Sequence, residues 1–145
     1  MSVGIIGSGN LGANVAFFVA EKNIAPVRMH DAKEGLSIGK ALDMMEAAPV
    51  RNYQFLISGT DRMADLLDAD VLVIAAGNIR EPGGKRIDLL EGNRRIVAGI
   101  AADLKGYEGV VVVATEPVDV LVKVVAETAG LPWQRVIGLG GVLDS

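Results

Sequence analysis

The chain has 145 residues, of which 50% are hydrophobic, 22% charged and 4% aromatic, with 18 glycines, no cysteine and a formal net charge of −4. That length suits one domain with a sizeable core. The acidic balance argues against a nucleic-acid or anionic-membrane partner, and the lack of cysteine excludes disulfides, thiolate catalysis and a cysteine-held zinc. No apolar run nears the ~18 residues of a membrane span, and the opening MSVGIIG has no basic and apolar leader, so a soluble, cytoplasmic protein with no membrane partner is expected.

The first apolar run, Val3–Ile6, leads straight into Gly7-Ser8-Gly9-Asn10-Leu11-Gly12, a G-x-G-x-x-G turn. Leu11, Val15, Phe18 and Val19 follow at helical spacing. Strand, glycine turn and helix in that order are the setting in which such a turn binds a dinucleotide. One glycine permits the tight turn, the second lets backbone amides approach a pyrophosphate, and the third allows close helix–strand packing. The helix start offers free N–H groups and partial positive charge. A structural turn without a ligand is the alternative.

The second run, Val27–His30, ends at Asp31, about 20 residues beyond the glycine turn, where an acid is expected on the ribose hydroxyls. A carboxylate there accepts from a free 2′-OH and repels a 2′-phosphate, so NAD is preferred over NADP. An exposed loop acid is the competing reading. His30, the only histidine, reads as a surface or adenine-side residue rather than a catalyst.

Further strands are expected at Tyr53–Ser58, Val71–Ala76, Val110–Ala114 and Arg135–Leu139, with one or two helical turns at Ala64–Asp68. Ile87, Leu90, Arg94, Val97, Ile100, Ala101 and Leu104 trace a second helical face. Val118, Leu121, Val122, Val125 and Ala129 trace a third. VLVIAA and VVVVA do not alternate polar with apolar, as expected for a parallel sheet covered on both sides. The fold class is therefore α/β: a doubly wound, six-stranded parallel sheet in the order 3-2-1-4-5-6, helices on both faces, forming one domain over residues 1–145. After the fourth run comes a loop with three glycines, a proline and three cations, Gly77 to Arg86. Such a loop suits closure over an anionic ligand, although a solvated basic loop has the same composition.

GIIGSGNLG, Asp31, AAG, REPGGKR, IDLLEGN, TEPVDV and VIGLGGVLDS occur in one order along the chain. In this the chain resembles the NAD-binding domain of the lactate/malate dehydrogenase family. The resemblance implies NAD as cofactor, held by Gly7, Ser8, Gly9, Asn10, Leu11, Gly12 and Asp31, with Gly77, Asn78, Asn93 and Thr115 on the cofactor side. It implies that Arg80 selects a dicarboxylate of the malate/oxaloacetate type and that Arg86 polarises the substrate carbonyl. Asp144 would orient a catalytic histidine, and no metal is involved.

That histidine, and the arginine gripping the first substrate carboxylate, lie in the family's second domain. A catalytic domain is accordingly expected beyond residue 145, and this chain alone is expected to bind NAD without turnover. Family members assemble as homodimers or homotetramers, for which the apolar Leu36–Ala48 segment is a candidate contact.

Two positions depart from the family. Glu116 stands where asparagine is usual, beside the substrate, and Lys85 where a small hydroxyl residue is commoner. A glutamate ~4 Å from a substrate carboxylate costs about 4 kcal/mol at an effective dielectric of 20. Three outcomes are open: Glu116 pairs with Arg80 or Arg86, it is protonated, or the substrate is less anionic or carries a cation. A non-catalytic nucleotide-binding or sensor module of the same fold is the alternative function.

Overall fold

The computed structural model describes residues 1–79, 83 and 86–141, with only the backbone of Arg86. Apolar β-branched runs alternate with helices along the chain. The elements are β1 (Val3–Ile6), α1 (Asn10–Glu21), β2 (Val27–His30), α2 (Leu36–Arg51), β3 (Ile57–Thr60), a 3-10 turn (Met63–Leu66) and β4 (Val71–Ile74). There follow α3 (Arg86–Asp103), β5 (Val110–Val113), α4 (Val118–Ala129), a second 3-10 turn (Trp133–Arg135) and β6 (Val136–Gly138). The six strands form one sheet in the order β3-β2-β1-β4-β5-β6, and every pairing is parallel. This is the expected doubly wound order.

Each face of the sheet carries its own core. Val3, Ile5, Val27, Met29 and Val73 pack against Ala16 and Ala20 of α1 and Ala41 of α2. On the opposite face Ile6, Leu72, Ile74, Val111 and Val113 meet Val97 and Ala101 of α3 and Leu121 and Val125 of α4. Successive strand residues point to opposite faces, so runs apolar at every position are what this double burial requires. Register then aligns the strand ends: Ile6 of β1 lies beside His30 of β2 and Ile74 of β4. Because β1 leads to β2 on one side and lies beside β4 on the other, a crevice opens past their carboxyl ends.

Three expectations change. Of the stripe expected on α1, Leu11 and Phe18 face outward, 47% and 50% exposed, and Val15 and Val19 are only partly buried against the core, while Gly12, Ala13, Ala16 and Ala20 are buried. Small residues let the helix lie close to the sheet. On α3 the inward line is Asn93, Val97 and Ala101, running on to Leu104, whereas Ile87 and Arg94 are exposed.

The strand expected at Tyr53–Ser58 lies instead at Ile57–Thr60. It pairs from Val27↔Ile57 to His30↔Thr60, so polar residues are drawn into the sheet edge. Tyr53 is buried before it, its hydroxyl donating to the Met44 carbonyl. Helix α2, left untraced by periodicity, lies so close to β3 that a Cβ on Gly59 would stand 2.3 Å from the Ser37 carbonyl carbon.

Tyr107 is buried after α3 and donates from its hydroxyl to the Ala69 carbonyl at 2.8 Å. Burial, reinforced by the Asp70 carboxylate and opposed by Arg135, pushes its phenol up to about 12. A raised phenol pKa favours the neutral form in the fold. Its stabilisation is complete below the unfolded value near pH 10 and is lost as pH rises toward 12, a difference on the order of 2 kcal/mol. Denaturant unfolding is expected to show a steeper loss of stability between pH 10 and 12 for the parent than for Tyr107→Phe. Parallel pH profiles would contradict this assignment.

Candidate functional site

The turn after β1 is built by three glycines with three different reasons. Gly7 adopts φ +101, and a Cβ there would lie 2.5 Å from the Ala76 nitrogen, so the turn crosses tightly over the end of β4. A Cβ on Gly12 would lie 1.8 Å from the Gly7 carbonyl oxygen, so α1 packs directly onto the turn. Gly9 is different. Its φ of −62 suits any residue, and nothing lies within 4 Å of where its Cβ would be. Neither strain nor packing requires a glycine there, and the space outside the helix start is open.

That space faces unpaired donors. The first internal bond of α1 runs from Ala13 N–H to the Gly9 carbonyl at 3.0 Å. The amides of Gly9, Asn10 and Leu11 have no protein acceptor among the described residues. A 12-residue helix also gathers partial positive charge at this end. An uncovered helix start with free amides and no side chain in the way fits an anionic diphosphate.

Asp31 points into the same turn. Its Oδ2 accepts from the Ser8 N–H at 2.6 Å and its Oδ1 from the Lys33 N–H at 3.0 Å. Each carboxylate oxygen retains a lone pair for a further donor. Ser8 itself is fully buried, its carbonyl accepting from Lys40 Nζ at 2.6 Å. Lys40 went unremarked in the sequence because it belongs to α2, which periodicity did not reveal. The signal available was one lysine on the apolar Leu36–Ala48 segment. His30 is engaged with β3, its Nδ1 3.2 Å from the Thr60 carbonyl oxygen.

The loops after β4 and β5 are tied together from within. Asn93, 1% exposed, accepts from Asn78 N–H at 2.6 Å and donates from Nδ2 to the Glu116 carbonyl at 2.7 Å. Thr115, 6% exposed, donates to the Ala76 carbonyl at 2.8 Å. Gly77 fits against both, since a Cβ there would lie 2.5 Å from Thr115 Cγ2 and 3.1 Å from Asn93 Oδ1. The side chains of Asn93 and Thr115, expected on the cofactor side, both bond the protein backbone. They shape the crevice from behind. Gly77, Asn78 and the Glu116 side chain are exposed at its rim. Arg80, Lys85 and Asp144 lie outside the described residues, as does the side chain of Arg86.

A separate open cleft of about 630 Å³ lies between β2, β3 and the first 3-10 turn. Its charged walls satisfy one another: Arg28 donates to the Asp65 carbonyl and pairs with Asp68 at 3.1 Å, and Thr60 donates to Asp65 at 2.6 Å. Among the described residues no helix is long and apolar enough to cross a membrane.

A family model described as the lactate/malate dehydrogenase NAD-binding domain matches residues 1–138. Malate dehydrogenase of Desulforudis audaxviator is 41% identical over 144 residues, covering 98% of this chain and 47% of that protein. Lactate dehydrogenase of Cryptosporidium parvum, solved with lactic acid and NAD, superposes with TM-score 0.92 at 37% identity, covering 99% of this chain and 46% of that one. Malate dehydrogenase of the same organism superposes with TM-score 0.94 at 35% identity, over 99% and 46% respectively. The chain thus spans about half the length of the curated relatives it matches.

The glycine geometry separates folding from binding. Gly12→Ala forces α1 off the turn and is expected to destabilise the chain by about 2 kcal/mol. Gly9→Ala is expected to leave the thermal midpoint unchanged while weakening NAD about tenfold or more. Calorimetry with thermal unfolding checks both, and an unaffected affinity in Gly9→Ala would contradict the ligand reading of the open space.

Proposed function

The chain belongs to the lactate/malate dehydrogenase family as its NAD-binding domain, and from that premise we propose that it serves an enzyme moving a hydride between NAD and a small 2-hydroxy acid. The observation that carries the reading is the empty space at Gly9 beside unpaired amides, with the Asp31 carboxylate in the same turn. The amides of Gly9 to Leu11 would hold the diphosphate. Asp31 would accept from the adenosine ribose hydroxyls while keeping its bonds to the Ser8 and Lys33 amides. When bound, NAD supplies the nicotinamide that takes up or gives back the hydride.

Malate and oxaloacetate are the proposed substrate pair. By resemblance, Arg80 would bind the second carboxylate through its planar fork. Arg86, at the start of α3, would stabilise negative charge growing on the substrate oxygen. Asp144 would hold a histidine contributed by a further domain, and without that domain the chain would bind NAD and not turn over. Asn93 and Thr115 would act indirectly, fixing the loops that carry these groups.

The enzyme would be cytoplasmic and assemble as a homodimer or homotetramer, with Ile38 and Leu42 of α2 exposed where a second subunit would pack. One observation favours the alternative of a non-catalytic nucleotide-binding module: the exposed Glu116 places a carboxylate at the crevice rim, where a dianionic substrate would be repelled.

The Asp31 carboxylate sets the cofactor preference. At ~4 Å its repulsion of a 2′-phosphate is worth between about 1 and 4 kcal/mol depending on the local dielectric. Isothermal titration of the chain is expected to give NADP an affinity at least about tenfold below that of NAD, with Asp31→Asn narrowing the gap. Equal affinities for the parent would overturn the reading.

A further inference from the structure

Helix α2 sends one cation into the turn that meets the cofactor, and nothing in the family's motif reading uses it. Lys40 is half-buried, and its Nζ donates to the Ser8 carbonyl at 2.6 Å. The Ser8 N–H donates to Asp31 at 2.6 Å, so the two polar backbone groups of this buried residue are held by opposite charges. A bond from an ammonium to a carbonyl is stronger and shorter than one between neutral groups.

The peptide plane carries the consequence. The Ser8 carbonyl and the Gly9 N–H belong to the same trans peptide and point in opposite directions. Whatever grips that carbonyl on the α2 side therefore turns the Gly9 N–H the other way. Gly9, with φ −62 and nothing within 4 Å of where its Cβ would be, has no side-chain packing of its own to fix the plane. The geometry points to Lys40 as a positioning residue for the cofactor: by holding the Ser8 carbonyl it aims the Gly9 amide at the diphosphate. It also adds one positive charge behind the phosphates. This role rests on the NAD reading of the turn and adds a residue outside the glycine motif to it.

The effect is specific to the diphosphate. Adenosine reaches Asp31 but has no phosphate to meet the Gly9 amide, whereas ADP-ribose carries both groups. Lys40→Met removes the donor while keeping an unbranched chain of similar length, and Lys40→Arg keeps a cationic donor. Binding of ADP-ribose by calorimetry and of adenosine by NMR titration, alongside thermal unfolding, distinguishes the cases on the 145-residue chain.

Lys40→Met is expected to weaken ADP-ribose about tenfold, the effect of losing the charge-assisted hydrogen bond from the misaimed Gly9 amide to the diphosphate. Adenosine affinity is expected to stay within twofold of the parent, and Lys40→Arg to restore most of the ADP-ribose loss. Equal losses for both ligands, or none for either, would overturn the positioning role. A parent chain that binds adenosine but not ADP-ribose would remove the diphosphate reading itself, and the role of Lys40 with it. If Lys40→Met fails to fold, Lys40→Gln, which can still donate to the carbonyl without charge, is expected to fall between parent and loss; parent-like ADP-ribose affinity with unchanged salt dependence would refute the contribution of charge.

Discussion

The site depends on how closely α1 can approach the turn that ends β1. At Gly12 the helix sits where any side chain would occupy the Gly7 carbonyl, and at Gly7 the turn crosses β4 with a backbone only glycine adopts readily. These two contacts leave the helix start pointing outward with its first amides unspent. A helix held even a methyl group further away would tilt its donors and open a gap beneath them. The proposed anion site is thus a consequence of packing: a backbone contact too tight for side chains leaves a surface that offers a ligand backbone amides.

The sheet supplies the second half of the arrangement. Because β1, β2 and β4 are in register at their carboxyl ends, Gly7, Asp31 and the Ala75–Gly77 stretch meet at one edge without any long connection. Two buried polar side chains then hold the outer loops. Asn93 bridges the segments after β4 and β5, and Thr115 fastens β5 to β4, so the crevice wall is set before any ligand arrives. Buried polar groups that are fully bonded rigidify their surroundings, and no buried side-chain polar atom lacks a partner among the described residues. Preformed donors need little reordering when an anion binds, which favours affinity.

Much of this was legible in the sequence, for identifiable reasons. Strands β1, β4 and β5 carry no polar side chain because both their faces are covered, and they stood out. Edge strand β3 was expected four residues early, at Tyr53–Ser58, because its own residues include Ser58, Gly59 and Thr60 and the apolar run lies before them. The inner face of α1 was legible only in part because closeness, not bulk, selects its most buried residues: Val15 and Val19 pack at its edge, and the larger Leu11 and Phe18 are turned outward. Helix α2 was hidden by Gly39 and by Pro49 in its last turn, residues that usually mark interruptions. With α2 hidden, so was the reach of Lys40 to Ser8, a contact between residues 32 positions apart. Asp31 was found because its distance from the glycine turn is fixed by one helix and one strand. The motifs single out Asn93 and Thr115, but which backbone groups their side chains bond depends on how the loops after β4 and β5 meet, and the sequence does not show that.

The central claim is that backbone amides at the start of α1 receive the cofactor's diphosphate. The most direct test is the amide NMR spectrum of the isotopically labelled chain titrated with NAD. The account predicts that the resonances of Gly9, Asn10 and Leu11 shift most, together with those of Ser8 and Lys33 whose amides rest on Asp31. Shifts centred instead on the cleft of Arg28, Asp65 and Asp68, with the glycine turn silent, would contradict it.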